Sequence, residues 1–517
     1  MAHAGPWGAD LRPGASVGHG RNVSDPFIDK ESTVKASSRL KALCLVAGSV
    51  GACAVATPAL GAMWTSTKYP TTSGSAAPAA TSWQSHIAVA TTTSGVPAVL
   101  YRANNKSIQV ITKGTATAAW PSKATQWLSA SAANAAPMLG AAVVGSRFAA
   151  MWTTGSGGSL RSAAGSRTVQ SGTVTSRSIN PPVSPVFSSA AGIGTLMVGP
   201  VSSGAAWYGI SGAKADGSGA RAFGGLMRAG QVPTTLLPFE TNTGQAPIIA
   251  VGSDTTGNLT SLVRASTGPT SWAVRPASTS SWSDLTPLPV QPVSNSPLAV
   301  SVAPTGEAAL AYVAPANADG TLSPTGTSFA VVWMTRDNIN ANWLGPWVVG
   351  VEQSPPWALG VALGGTGTNE SAAVSWLRGP DSQHYTTPLT FMLSRNRYPG
   401  YPLPTATAIP LNLDPDTVSE LNRGSLKMQM NPQGVAAVLW GSGGNQGTST
   451  PLYATTSVPS GQWTSLVNLS GSRGCSGGYP GLSLSPYNTG FYAAWMCADS
   501  APSSSVQANS IGVTQFR

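Results

Sequence analysis

The sequence predicts an all-β chain, and three observations lead there. Charged residues make up 9 % of the 517 positions and hydrophobic residues 42 %, where an ordinary globular chain is roughly 25 % charged. Ser, Thr, Gly and Pro replace the missing charge, and long stretches lack both Glu and Lys, so helix formers are scarce. A small-apolar run ending in or near Trp recurs with different flanks: RFAAMWTTG (147–155), SFAVVWMTR (328–336), SAAVSWLRG (371–379), GVAAVLWGS (434–442) and GFYAAWMCA (490–498). These runs are apolar on consecutive positions, as a strand is when both faces of its sheet are covered.

Each recurrence reads as four short strands. The first opens on Pro or Gly and then alternates, as in PLAVSVAP (297–304) and PGLSLSP (480–486). A turn with Gly follows, at 305–306 or 433–434, and the Trp-bearing run is the second strand. A more polar third strand (TPLYATTSV, 450–458) and a fourth that often begins with Trp (QWTSLVNLS, 462–470) complete the unit. First strands are marked near Ile87, Met138, Val186, Ile248, Leu298, Trp357, Leu426 and Leu482, between 48 (138 to 186) and 69 (357 to 426) residues apart. A drifting period of roughly 40–60 residues with four strands per unit predicts a single β-propeller of seven or eight four-stranded blades over 84–517. Each blade covers the faces of its neighbours, small Ala residues let the sheets approach, and one Trp per strand fills the widening gap. TSWQS (81–85) reads as an orphan fourth strand that would clasp the ring.

The N-terminal region reads as an address. Residues 1–33 are polar and patternless, either disordered or untranslated with the true start near Val34. In 34–62, Arg39 and Lys41 precede an apolar core over 42–56, and Ala59-Leu60-Gly61 supplies small residues for cleavage. That is the anatomy of an export signal. An uncleaved anchor is one alternative. Another is a lipoprotein box, Val50-Gly51-Ala52-Cys53, in which Cys53 would be acylated. All three readings place the remainder outside the cytoplasm, extracellular or in the cell envelope, with membrane contact only through this segment. Residues 63–83 read as a Ser/Thr/Ala/Pro linker. Beyond the export segment only Cys475 and Cys497 occur, and in an exported chain they are expected to form a disulfide rather than two free thiols.

Formal net charge is +10, yet the basic residues are scattered singly and no phosphate loop appears, so no nucleic-acid partner is expected. His86 and His384 are the only histidines after residue 63, and no HExxH or CxxC occurs. Neither a metal site nor a cofactor nor a Ser-His-Asp triad is expected. The best local cluster of carboxylates is Asp414, Asp416 and Glu420; Asp254, Asp284, Glu307, Asp337, Glu352 and Asp381 fall mostly in turns or at strand ends. An Asp in a turn usually bonds its own backbone.

The four-strand repeat with turn Gly and strand-ending Trp resembles the sialidase-type propellers over roughly 84–517. Their Asp-box runs Ser-x-Asp-x-Gly-x-Thr-Trp. The nearest string here is Ser253-Asp254-Thr255-Thr256-Gly257-Asn258-Leu259-Thr260, with Asp one place early and no Trp. Their first carboxylate-binding Arg lies in a Phe/Tyr-Arg-Ile-Pro motif, whereas Tyr101-Arg102 is followed by Ala103-Asn104. The resemblance therefore assigns no catalytic residue. The repeated Trp is also similar to secreted propeller lectins, whose pockets between blades use an aromatic platform with Arg or Glu. That similarity singles out Arg395, Arg397, Tyr398 and Tyr401 in SRNRYPGYPLP, and Trp343 and Trp347 in NANWLGPW. An aromatic face meets the C–H groups of a sugar while Arg bonds its hydroxyls. The expectation is an exported, non-catalytic propeller that binds a surface glycan or another envelope component. A sialidase-type hydrolase and a structural envelope protein are the alternatives.

Overall fold

The computed structural model of the chain describes residues 63–65, 68, 87–92, 94–102, 108–122, 125–128, 139–144, 147–154, 159–168, 193–201, 205–214, 216, 218–227, 236–241, 248–264, 268–356, 358–365, 371–377, 389–394, 407–409, 426–441, 449–450, 452–456, 464, 467–469, 475–476, 482–497 and 510–517. Among them there is no helix. The described residues form nine antiparallel sheets; one pairs Ser449–Thr450 with Cys475–Ser476, and eight of three or four strands follow one another along the chain, numbered here sheet 1 to sheet 8. Their first strands are Ile87–Thr91, Leu139–Val144, Ile193–Pro200, Ile248–Ser253, Leu298–Val302, Ala358–Gly364, Lys427–Met430 and Leu482–Tyr487. Sheets 2 and 8 have three described strands and the others four, each sheet a simple meander. Each first strand lies against the first strand of the next sheet, and that of sheet 8 lies against that of sheet 1. This radial succession is the arrangement of a β-propeller.

Local chemistry explains the meander. The hairpin from first to second strand uses the same turn at Thr92–Val96, Asp254–Asn258, Ala303–Glu307 and Asn431–Val435. In each, the first carbonyl accepts from the amide of a glycine three residues on, at 2.9–3.3 Å. Those glycines, Gly95, Gly257, Gly306 and Gly434, have φ of 80°, 95°, 102° and 77°, a region that costs an L-residue energy and Gly nothing. Side chains reinforce three of the four turns. Thr92 Oγ1 accepts from Val96 N, and Asn431 Oδ1 accepts from the amides of Gln433 and Val435.

The second strands are buried along nearly their whole length, as in Ala308–Ala316 and Ser371–Leu377. Three of their tryptophans face the preceding sheet, whereas Trp207 packs on the following one, sheet 4. Trp376 packs on Val331, Trp333 and Val349 of sheet 5, Trp440 on Ala358, Ala362 and Ala373 of sheet 6, and Trp495 on Val435, Leu439 and Leu469 of sheet 7. One phrase sits elsewhere: Ser328–Arg336 is the third strand of sheet 5, because Ala308–Ala316 already fills the second place. In sheet 3 the first described strand is Ile193–Pro200, and Val186 lies outside the described residues.

Near the axis the first strands approach closely enough to exclude side chains. A Cβ on Gly252 would lie 2.8 Å from Val302 Cγ2 and 3.3 Å from Val302 N on the next first strand. Gly252→Ala is therefore expected to destabilise by about 1–3 kcal/mol through overpacking, read as a lower urea midpoint at unchanged slope.

The first and last sheets share one core, in which Ile87, Val89, Val99, Tyr101 and Ile111 meet Tyr487, Tyr492, Ala494, Ile511 and Val513. The outer edge of sheet 8 is occupied by the N-terminal segment read above as the start of a linker. Trp64 pairs with Phe516 and Lys68 with Val513, antiparallel. TSWQS lies outside the described residues.

Candidate functional site

Three sheets carry a cation at the same place, where the third strand ends opposite the start of the second. Arg275 pairs with Leu259 in sheet 4 and Arg336 with Ala308 in sheet 5. In sheet 1 Lys113 follows Thr112, which pairs with Ala98. All three side chains are buried, at 8 %, 1 % and 4 % exposure. A Trp lies seven residues after each: Trp282, Trp343 and Trp120. The preceding sheet supplies a second aromatic ring or a hydrogen bond, so each cluster bridges two sheets.

At the junction of sheets 4 and 5 the Arg336 guanidinium lies 4.8 Å from the Trp343 ring centre and 5.9 Å from that of Trp272. The two rings meet edge to face at 5.9 Å. Nη2 donates to Thr260 Oγ1 of sheet 4, and Nη1 donates to Ile339 O at 3.2 Å. Arg336 Nε and Trp343 Nε1 are buried with no hydrogen-bond partner. At the junction of sheets 8 and 1, Lys113 Nζ donates to Ala116 O at 2.7 Å and lies 5.8 Å and 5.7 Å from the rings of Trp120 and Tyr492. Those rings also meet edge to face, at 6.0 Å. At the junction of sheets 3 and 4, Trp282 Nε1 donates to Gly224 O at 2.7 Å. Arg275 Nε and Nη1 are buried without partners there.

Among the described residues no carboxylate offsets these charges. Burial alone pushes Arg336 down to about 10. Burial, then the positive charge of Arg517, pushes Lys113 down to about 8. Arg275 is also lowered by burial, with a partial opposing effect of Tyr208 on sheet 3. A cation–π contact contributes about 0.5–2 kcal/mol, less than the several kcal/mol that desolvating a charge costs. Scaffold stability therefore does not account for these cations. What the arrangement offers outward is the indoles of Trp120, Trp272 and Trp343, each half-buried, with firm edges at one rim of the sheets. Arg264, also 8 % exposed, ends the second strand of sheet 4 at the opposite rim, opposite Ile248, and donates to Ser296 Oγ at 3.3 Å.

The sequence-predicted residues fall differently. Trp343 is in the cluster just described. Trp347 lies on the other face of sheet 5, packed toward sheet 6, so NANWLGPW is not one surface. Arg395, Arg397, Tyr398, Tyr401 and Cys53 lie outside the described residues, as do Asp381, Asp414, Asp416, Glu420, His86 and His384. Cys475 is on a two-residue strand, Cys475–Ser476, paired with Ser449–Thr450. Cys497 ends the second strand of sheet 8, and the two strands lie side by side. Arg336, Arg275 and Lys113 were not singled out in the sequence, although a basic residue followed by Trp at the seventh place was there to be counted.

Two carboxylates are buried among the described residues, and both are engaged. Asp254 Oδ1 accepts from the amides of Thr256, Gly257 and Asn258 at 2.8–2.9 Å, and Oδ2 from Asn258 Nδ2 at 2.7 Å. Glu352 Oε1 accepts from Trp376 Nε1 at 2.8 Å across sheets 5 and 6. Asp284 and Asp337 are exposed. Among the described residues no group of three His, Cys, Asp or Glu could hold a metal ion.

No family model and no curated protein matches the chain. Among solved structures it is similar to an Aleuria aurantia lectin described as a six-bladed β-propeller with a fucose recognition mode (13 % identity, 76 % of this chain and 98 % of that one, TM-score 0.34). It is also similar to an α-L-arabinanase of Penicillium chrysogenum complexed with arabinobiose (9 %, 88 % and 98 %, TM-score 0.38). A third is the polysaccharide lyase Uly1 (8 %, 73 % and 89 %, TM-score 0.41). At such identities and scores the reading rests on the chain's own sheets and side chains.

Proposed function

We propose that the chain is an exported β-propeller of eight blades, closed by residues 63–68, that binds an extracellular or cell-surface glycan without catalysis. The observation that carries this reading is the half-buried indoles beside a buried cation at two junctions, Trp272 and Trp343 at Arg336 and Trp120 at Lys113. A sugar presents C–H faces to such indoles and hydroxyls to polar groups beside them. Repeated weak sites gain by avidity. The buried carboxylates Asp254 and Glu352 are occupied by backbone and indole donors, which supports binding over the paired-acid chemistry of a glycosidase. Export would follow from 34–62, with the mature chain beginning near Ala62. Cys475 and Cys497 would close a disulfide in sheet 8, visible as a cross-linked peptide in non-reducing mass spectrometry.

A panel of neutral and acidic polysaccharides on a surface, probed with the mature protein, tests the reading. Weak binding is expected, diminished at least several-fold by Trp343→Ala, and no hydrolysis of common aryl glycosides. Turnover abolished by replacing a single Asp or Glu would overturn it.

A further inference from the structure

Sheets 1 and 8 meet at a seam that also receives the N-terminal strand, and one buried titratable group stands where the three join. Besides its bond to Ala116 O, Lys113 Nζ reaches Gln515 Oε1 of sheet 8 at 3.5 Å. Gln515 donates its Nε2 to the Tyr487 hydroxyl at 3.0 Å. Its backbone is held by the N-terminal strand: the amide donates to Thr65 Oγ1 at 3.1 Å, and the carbonyl accepts from Thr65 N at 2.7 Å. A chain of contacts, Lys113–Gln515–Thr65, thus crosses the whole seam.

Among the described residues, the groups facing Lys113 supply no negative charge. From sheet 8 they are Tyr487, Tyr492, Gln515 and Arg517, from sheet 1 Trp120, and the N-terminal strand carries Lys68. Arg517 Nη2 donates to the same Ala116 carbonyl as Lys113, at 3.4 Å, so two cations converge on one acceptor. The rings of Trp120 and Tyr492 stand close to the ~6 Å outer limit of cation–π attraction. The Tyr492 hydroxyl is pushed up by burial and stays neutral where Lys113 titrates.

We propose that this seam is a proton-controlled latch: protonated Lys113 favours opening of the junction between sheets 1 and 8, and neutral Lys113 favours closure. Opening returns the ammonium to water and separates it from Arg517, whereas closing must desolvate it or release its proton. Lys113 titrates near 8 in the closed seam and near ~10.4 when hydrated. The open form therefore holds more protons between those values. Opening becomes harder as pH rises through that window and is indifferent to pH below it. The proposal does not depend on the glycan reading.

Hydrogen exchange on the full chain tests it, followed in peptides covering 510–516 from pH 7 to 9.5 with intrinsic rates divided out. Protection is expected to be flat up to about pH 8 and then to rise, approaching tenfold per pH unit. Lys113→Met should give high protection at every pH. Lys113→Arg, which keeps the charge, should give low protection that does not respond to pH, and it decides the matter if the Met variant fails to fold. A flat profile in the parent chain, or a rise that persists in Lys113→Arg, would overturn the latch.

Discussion

A chain that begins at residue 70 is expected to unfold about 2–3 kcal/mol more easily than the full chain and to associate in solution. Residues 63–68 are tied to the last strand by five backbone hydrogen bonds, Met63 and Arg517 exchanging two, Lys68 and Val513 two, and Thr65 N donating to Gln515 O. Such bonds offset the entropy of ordering the segment, with help from the Thr514 hydroxyl, which donates to Thr65 O at 2.6 Å. The largest single contribution is the apolar contact of Trp64, whose ring lies 5.5 Å from that of Phe516 against the core of sheets 7 and 8, and burying such a side chain is worth about 1.5–3 kcal/mol. Association follows because the deletion bares the edge of Ser510–Phe516, a β-prone strand with no charged residue. Urea titration and light scattering read the two effects. Equal midpoints with a monodisperse truncated chain would mean that the N-terminal strand does not hold the seam.

This strand also shows where sequence reasoning runs out. Seven of the eight first strands begin within one residue of the marked positions, because alternation after a Pro or Gly is local information; the eighth mark, Val186, lies outside the described residues. The sequence places SFAVVWMTR as a second strand since its composition matches one. In the chain it is third, sandwiched equally well because sheet 5 is covered on both faces. Order within a blade is a matter of counting, and one extra apolar strand displaces the count. Choosing between 63–68 and 81–85 for the clasp requires knowing which segment meets Phe516, a contact 452 residues distant (64 to 516) that no window sees. The aromatic shelf was half legible. Trp343 stood out by type, whereas Arg336 became visible only once its neighbours came from two sheets, Thr260 and Trp272 from sheet 4 and Trp343 from sheet 5.

Arg336→Met separates a scaffold role from a binding role, because the two predict opposite signs. The guanidinium is 1 % exposed, faces no carboxylate among the described residues and leaves Nε without an acceptor. Replacing a poorly compensated buried charge by an apolar side chain of similar length is neutral or stabilising by about 1–4 kcal/mol. Little is orphaned by the change. Thr260 Oγ1 loses a donor but keeps its own proton to give, and Ile339, whose carbonyl also loses a donor, lies partly open to water. The thioether fits between Trp272 and Trp343, since sulfur–aromatic contact is favourable. The variant is therefore expected to melt at or above the parent temperature, while binding to the polysaccharide that retains the parent falls several-fold, because the indoles of Trp272 and Trp343 lose the cation that holds them in place. Thermal unfolding and surface binding on one preparation read both. A variant that melts well below the parent and binds undiminished would make Arg336 a tie between sheets 4 and 5, and would remove the cation–aromatic cluster from the binding surface.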